Sequence, residues 1–354
     1  MNSLVHGFRV MLYVLYSLVD KNHDSCVNLN GRKLLYQRKI AEGGFGTVFL
    51  VRDLSAPHGA PGNIPLYALK RVQASDVESR HTFESEVKAH GAVTHPHVMR
   101  LVASAVIPGA SGPLGFLLMP YYSVHDSLHA LHHLHHPDLP RRIQNGNLHD
   151  FIDLRLQRHQ PLSLDFLLSL FRTMCQGVLA FHLLDPPCVV RDIKPANFLI
   201  ADHGRGTVLT DLGGVVPAAR VVHTRAQADA LQDDAAIHVT AAFRPPELFS
   251  VPSQCALDTR TDVWSLGACL YFMVFGKMAF DGTESAALAA IDYQGRYVDA
   301  GLEMQPVGRD EKTDGFADMC RNDAATDLIK SMLQIDMHKR PTLPAILEAL
   351  APYQ

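Results

Sequence analysis

Residues 190–197 read Val-Arg-Asp-Ile-Lys-Pro-Ala-Asn, and Asp211-Leu212-Gly213 comes next, with Asp211 fourteen positions after Asn197. Very few folds have a use for this ordered set. Asp192 can orient an attacking hydroxyl or accept its proton. Lys194, two residues on, can neutralise a phosphoryl group in transit. Asn197 and Asp211 offer oxygen ligands for Mg²⁺, with Mn²⁺ as a substitute. Phosphoryl transfer asks a protein mainly for positioning and charge neutralisation, and this set supplies both. A purely structural role does not require these four side chains in this order.

A second constellation lies upstream. Ile40-Ala41-Glu42-Gly43-Gly44-Phe45-Gly46-Thr47-Val48 sits between two strand-like stretches, Leu34–Ile40 and Thr47–Val51. Glycine lets backbone N–H groups approach phosphate oxygens without a Cβ clash. Alone, such a turn is common. Its weight comes from two residues downstream. Lys70, on a strand over Leu66–Val72, can hold α/β-phosphates, and Glu86, on a helix over Arg80–Val93, can pair with that lysine. An isolated Lys and Glu are more often surface residues.

In this order the motifs resemble those of eukaryotic serine/threonine protein kinases. The resemblance runs from about Leu34 to about Leu350. Phe243-Arg244-Pro245-Pro246-Glu247 looks like the element closing a kinase activation segment. Thr261-Asp262-Val263-Trp264-Ser265-Leu266-Gly267 looks like the start of the buried helix that anchors the catalytic loop. Arg340, in Lys339-Arg340-Pro341, would pair with buried Glu247. Gln232–Ala236, Pro246–Val251, Asp258–Gly267 and the hinge-like Met119-Pro120-Tyr121-Tyr122 are similar to the Numb-associated kinase family. That group places a helix inside the activation segment, and Ala226–Ile237 is compatible with one.

The resemblance implies a bilobal α+β fold with a small antiparallel-sheet N-lobe and a large helical C-lobe. It implies ATP and Mg²⁺ as cofactors and a protein Ser or Thr hydroxyl as acceptor. The implied catalytic residues are Asp192, Lys194, Lys70 and Glu86, and the implied metal ligands are Asn197 and Asp211. Ala41, Glu42, Gly43, Gly44, Phe45, Gly46, Val48, Ala68, Lys70, Met119, Pro120, Tyr122 and Leu199 would enclose the nucleotide. Thr240, seven residues before Glu247, would bond to Asp192 and Lys194.

The chain also departs from the pattern. Ala41 replaces the first loop glycine, Val190 the histidine before Arg-Asp, Leu212 the phenylalanine of D-F-G, and Pro245 an alanine. Valine keeps the apolar packing but forgoes a hydrogen bond worth about 1 kcal/mol, so a working but slower enzyme is expected. Ala41 and Val190 motivate an alternative, a pseudokinase scaffold that binds partner proteins. A small-molecule phosphotransferase is a third reading, though such enzymes do not need the long segment ending in Pro-Pro-Glu. All six polar groups of the set are present, which favours activity. Between Asp211 and Glu247 the only hydroxyls are Thr224 and Thr240. Thr224 is thus the one candidate for a phosphate that Arg191 could answer, and the expected helix offers a way to order the segment without it.

The rest of the chain sets limits. Its 47% hydrophobic residues can fill a large core. A net charge of −4 without a basic run leaves no electrostatic footprint for nucleic acid. The scattered cysteines contain no C-x-x-C pair, which fits a reducing compartment and argues against a zinc site. Other expected elements are strands over Met99–Ile107 and Leu114–Met119 and helices over Leu164–Leu184 (capped by Ser163), Thr259–Phe275, Ala324–Gln334 and Leu343–Leu350. The expected domains are an N-terminal extension, 1–32, an N-lobe, 33–119, and a hinge and C-lobe, 120–354. Ala56–Pro65 reads as an elongated turn, and 123–145 as a solvated insertion carrying His125, His129, His132, His133, His135 and His136. The apolar run Val10–Val19 is too short to span a bilayer and reads as a poorly ordered extension. Its other readings are the h-region of a signal peptide, for which no small-residue cleavage site follows, and a weak peripheral contact with endomembranes through residues 8–19 of a cytoplasmic protein. Met1-Asn2 does not match the Met-Gly start that N-myristoylation requires.

Overall fold

The computed structural model describes residues 26–43, 46–56, 64–122, 146–160, 162–201, 204–280 and 323–353. Gly44, Phe45, the apolar run, the His-rich insertion and the interior of the 56–65 turn lie outside them. Close contacts divide the chain into two units, one containing Leu101–Tyr121 and the chain up to Arg80, the other His81–Arg100 and the chain from Tyr122 onward. The helix expected to belong wholly to the N-lobe therefore joins the larger unit from His81.

The first unit is built on an antiparallel sheet of order β1-β2-β3-β4-β6-β5. Its strands are β1 (Cys26–Leu29), β2 (Arg32–Gly43), β3 (Gly46–Asp53), β4 (Leu66–Gln73), β5 (Ala103–Gly109) and β6 (Gly112–Pro120). Period-2 alternation gives the sheet two faces. One face carries Phe49, Val51, Leu69, Phe116 and Leu118, which pack with Leu29 and Leu34 into a hydrophobic core. The other carries Val48, Leu50, Ala68, Lys70, Leu117 and Met119, as the cross-strand register requires. β1 pairs with β2 from Cys26 opposite Leu35 to Leu29 opposite Arg32. The sheet thus begins inside the stretch expected to be an extension, because Leu29 is fully buried in its core. The strand expected over Met99–Ile107 starts only at Ala103. Met99 instead donates its N–H to Leu209 O at 2.8 Å.

The second unit is mostly helical. Its helices are α1 (Val77–Ala92, entering from the first unit), α2 (Leu148–Gln157), α3 (Leu164–His182), α4 (Arg225–His238), α5 (Pro246–Phe249), α6 (Arg260–Phe275), α7 (Asp323–Met332) and α8 (Leu343–Ala349). Short antiparallel pairs join β7 (Cys188–Val189) to β10 (Val216–Pro217), β8 (Phe198–Ala201) to β9 (Gly206–Leu209), and β11 (Arg220–Val222) to β12 (Cys255–Leu257). α3 starts where Ser163 Oγ accepts from Phe166 N at 3.3 Å, as expected of an N-cap. Its apolar residues fall three and four apart, so Leu167, Phe171, Met174, Val178 and Phe181 are buried along one stripe. Each contributes roughly 2 kcal/mol of burial. α3 is long and apolar enough to cross a membrane, but this stripe is packed in protein.

α6 is buried all round, from Thr261 to Val274. A helix of that kind is the centre of a large core. Its close approach to α7 depends on Gly267, where a Cβ would lie 2.9 Å from Met332 Cβ. A smaller, separate core gathers Ala228, Leu231 and Ala235 of α4 with Val222, Val239, Leu248, Val251, Leu257 and Met337.

Candidate active site

In the first unit, Ala41, Val48 and Lys70 stand directly opposite one another on β2, β3 and β4, and Ala68 stands opposite Met119. These five of the residues expected to meet the nucleotide thus share one face of the sheet. Lys70 is 7% exposed and has Leu117 as its other cross-strand neighbour. Gly43 and Gly46 close the β2–β3 hairpin as a facing pair. Gly46 has φ +118° and its α-carbon lies so close to Arg71 O that a side chain cannot fit. That is a requirement for glycine which Ala41, lying within β2, does not face. Glu42 is salt-bridged to Lys39 at 2.5 Å, which holds its carboxyl below the usual range. Pro120 ends β6 opposite Tyr67, and Arg38 donates to Tyr121 OH at 3.2 Å.

In the second unit the catalytic-loop residues converge. Asp192 Oδ1 accepts from Thr240 Oγ at 2.7 Å and from Thr240 N at 3.1 Å. Asp192 Oδ2 accepts from Lys194 Nζ at 2.7 Å, and Lys194 Nζ also donates to Thr240 Oγ at 3.0 Å. Asn197 Nδ2 donates to Asp192 O at 2.8 Å and Oδ2 at 3.3 Å. With its amide hydrogens so directed, Asn197 has its carbonyl oxygen as its one side-chain acceptor. Asp211 sits at φ 59°, ψ 74°, a left-handed conformation unusual outside glycine. Glu86, 4% exposed, and Asp211 both flank Gly213: a Cβ there would lie 3.7 Å from Glu86 Oε2 and 3.8 Å from Asp211 Oδ1. Leu199 lies on β8 opposite Val208.

The protein kinase domain family matches residues 35–350. The chain belongs to the protein kinase family. Human serine/threonine-protein kinase 16 is 32% identical over 332 residues, covering 93% of this chain and 92% of the relative. The rat protein of that name is 31% identical with the same coverage. Serine/threonine-protein kinase ENV7 of Saccharomyces cerevisiae is 25% identical over 92% of this chain and 93% of its own. This kinase belongs with the serine/threonine protein kinases, a family that moves a phosphoryl group from ATP to protein hydroxyls with a divalent metal.

The loop that carries Asp192 is held from α6. Asp262, fully buried, accepts from Val190 N at 2.8 Å and Arg191 N at 3.0 Å. His182 Nε2 donates to the same carboxylate at 2.9 Å. The anchoring helix was legible from the sequence, whereas no local pattern marks His182 at the end of α3. Val190 and Leu212, each 1% exposed, belong to the main core, so neither substitution leaves a void. Arg191, at φ 72°, donates Nε to Gly214 O at 2.8 Å and Nη1 to Asp234 on α4. Arg340 makes a two-pronged bond to Glu247, 2.7 Å on each arm, and stacks over Trp264 at 5.1 Å. Cys269 lies under the loop, 3.9 Å from Ile193 O. Burial, then Cys175 and the Asp192 charge, push its thiol up, which disfavours the thiolate. Among the described residues no cluster of His, Cys, Asp and Glu could hold a metal on its own.

Proposed function

We propose that the kinase is catalytically active and that each site residue has a distinct role. Asp192 orients the substrate hydroxyl and receives its proton. Lys194 lies beside the transferred phosphoryl group, Lys70 holds the α/β-phosphates, and Glu86 is the acid that the family pattern assigns to that lysine. Ala41, Glu42, Gly43, Gly44, Phe45, Gly46, Val48, Ala68, Met119, Pro120, Tyr122 and Leu199 enclose the nucleotide. Asn197 and Asp211 hold Mg²⁺; a hard cation prefers such oxygen donors, and the directed Asn197 amide supports the assignment. Bound Mg²⁺ supplies charge neutralisation on the phosphates.

The observation that carries this reading is the set of bonds joining Asp192, Lys194, Asn197 and Thr240. It holds the catalytic carboxylate and ammonium in a fixed geometry before substrate arrives, which is what positioning catalysis needs. A scaffold that only binds partners has no use for it. The deciding assay is transfer from labelled ATP to a generic protein substrate with Mg²⁺, wild type against Asp192→Asn. Transfer by wild type alone supports the reading, and equal signals from both proteins replace it with a scaffold. Residues 8–19 are proposed as a weak peripheral contact with endomembranes. Co-sedimentation with anionic vesicles, with and without residues 1–25, tests that contact.

A further inference from the structure

Arg191 raises a question that the catalytic set does not answer. It is 7% exposed, and a guanidinium taken out of water must be paired. Nε is spent on Gly214 O, and Nη1 meets the carboxylate of Asp234, whose side chain is one-third exposed. His238 Nδ1 lies 3.0 Å from Asp234 Oδ1 and equally far from its carbonyl oxygen.

Asp234 is not a floppy surface acid. It rides on α4, which is fixed at several points. Thr224 Oγ caps its first turn by accepting from Gln227 N at 3.3 Å, and Gln227 Oε1 accepts from His223 N at 2.8 Å. Arg244 Nη2 donates to Val239 O at 2.9 Å beyond the last turn, and Val251 N donates to Gln232 Oε1 at 3.3 Å. Ala228, Leu231 and Ala235 bury its inner face in the small second core. The two hydroxyls between Asp211 and Glu247 are both engaged, Thr224 in this cap and Thr240 on Asp192. Asp234 therefore brings a negative charge to Arg191 where a phosphate would otherwise have to be added.

We propose that Asp234 is a positioning residue for phosphoryl transfer: through Arg191, which is bonded in sequence to Asp192, it holds the catalytic loop in its working geometry without a phosphate on the segment. The resident carboxylate does the work of the phosphate–arginine pair. This rests on the kinase being active.

The test uses the full chain, treated with phosphatase and shown by intact mass to carry no phosphate. Wild type, Asp234→Asn, Asp234→Glu, Arg191→Gln, the Arg191→Gln/Asp234→Asn double variant and Thr224→Ala are compared for kcat, for KM of ATP and for unfolding temperature. The expected result is an active dephosphorylated wild type that gains nothing on incubation with Mg²⁺-ATP, and a Thr224→Ala that unfolds at a lower temperature for want of its cap but keeps its turnover within about twofold. Asp234→Asn should lose about tenfold in kcat, with KM for ATP within about twofold, since a misplaced catalytic group slows the chemical step rather than binding. Asp234→Glu should recover much of the loss, and the double variant should be no slower than Arg191→Gln alone.

Several results would overturn the proposal: Asp234→Asn as fast as wild type, multiplying losses in the double variant, a wild type that needs phosphate on Thr224, or an Asp234→Asn chain that fails to fold while Arg191→Gln folds. A wild type inactive both with and without phosphate would instead sink the reading of the chain as an active kinase.

Discussion

Thr240 bonds twice to Asp192, through its hydroxyl at 2.7 Å and its backbone N–H at 3.1 Å, both to Oδ1. The same hydroxyl accepts from Lys194 Nζ at 3.0 Å, so one threonine ties the proposed catalytic carboxylate and ammonium to the segment that ends at Glu247. A hydrogen bond to a charged group contributes about 1.5–3 kcal/mol. Thr240→Ala should therefore lower kcat by roughly tenfold or more, and Thr240→Ser should restore most of it. Steady-state kinetics on a protein substrate check this, and phosphoamino-acid analysis of the product should find phosphoserine and phosphothreonine.

Lys70→Met and Asp211→Ala should each abolish transfer while leaving the unfolding transition in place. Lys70 lies on a sheet face opposite the buried core of its unit, so methionine keeps the packing and loses only the charge. Asp211→Ala should also weaken Mg²⁺-dependent ATP binding, read by calorimetry at several Mg²⁺ concentrations. Near-normal turnover in either variant would refute the assigned role.

The convergence of Asp192, Lys194, Asn197 and Thr240 was legible because phosphoryl transfer fixes both residue types and spacing. Thr240 could be placed from its distance to Glu247, and the Arg340–Glu247 pair from the same motif order. The Ser163 cap came from local capping and periodicity, and the helix at Arg225–His238 from the family resemblance and a helix-compatible sequence. What escaped was long-range. His182 reaches Asp262 across eighty positions, and nothing near either residue announces the bond. β1 is only Cys26–Leu29, too short to show a period, and it is held by pairing with β2. Gln232-Asp233-Asp234 offers two adjacent acids, and only the helix phase decides that Asp234 rather than exposed Asp233 meets Arg191.

Removing one side of the Glu247–Arg340 pair should destabilise the larger unit strongly. Arg340 has a fully buried side chain, with both arms at 2.7 Å from the carboxylate. Glu247→Ala leaves that charge without its partner, at a cost of about 3–5 kcal/mol. Glu247→Gln should cost less because it keeps an acceptor. Urea unfolding followed by circular dichroism gives the two values, and a loss under about 1 kcal/mol for Glu247→Ala would show that the pair is dispensable.

Val190 is the substitution that most invites doubt about activity. Its side chain is 1% exposed and packed in the main core, while its N–H and that of Arg191 are both held by Asp262. The backbone next to Asp192 is therefore fixed without an imidazole at position 190. Val190→His should change kcat by no more than about fivefold, because the bond it restores is worth only about 1 kcal/mol and the larger ring must fit a filled site. Asp262→Ala should do far more. It strands two buried backbone donors and the His182 ring, each costing about 1–3 kcal/mol, and it frees the loop carrying Asp192. Thermal unfolding and turnover should fall together in that variant. If Val190→His instead raised turnover by about a hundredfold, the loop would be poorly held in the natural chain and Asp262 would not be its anchor.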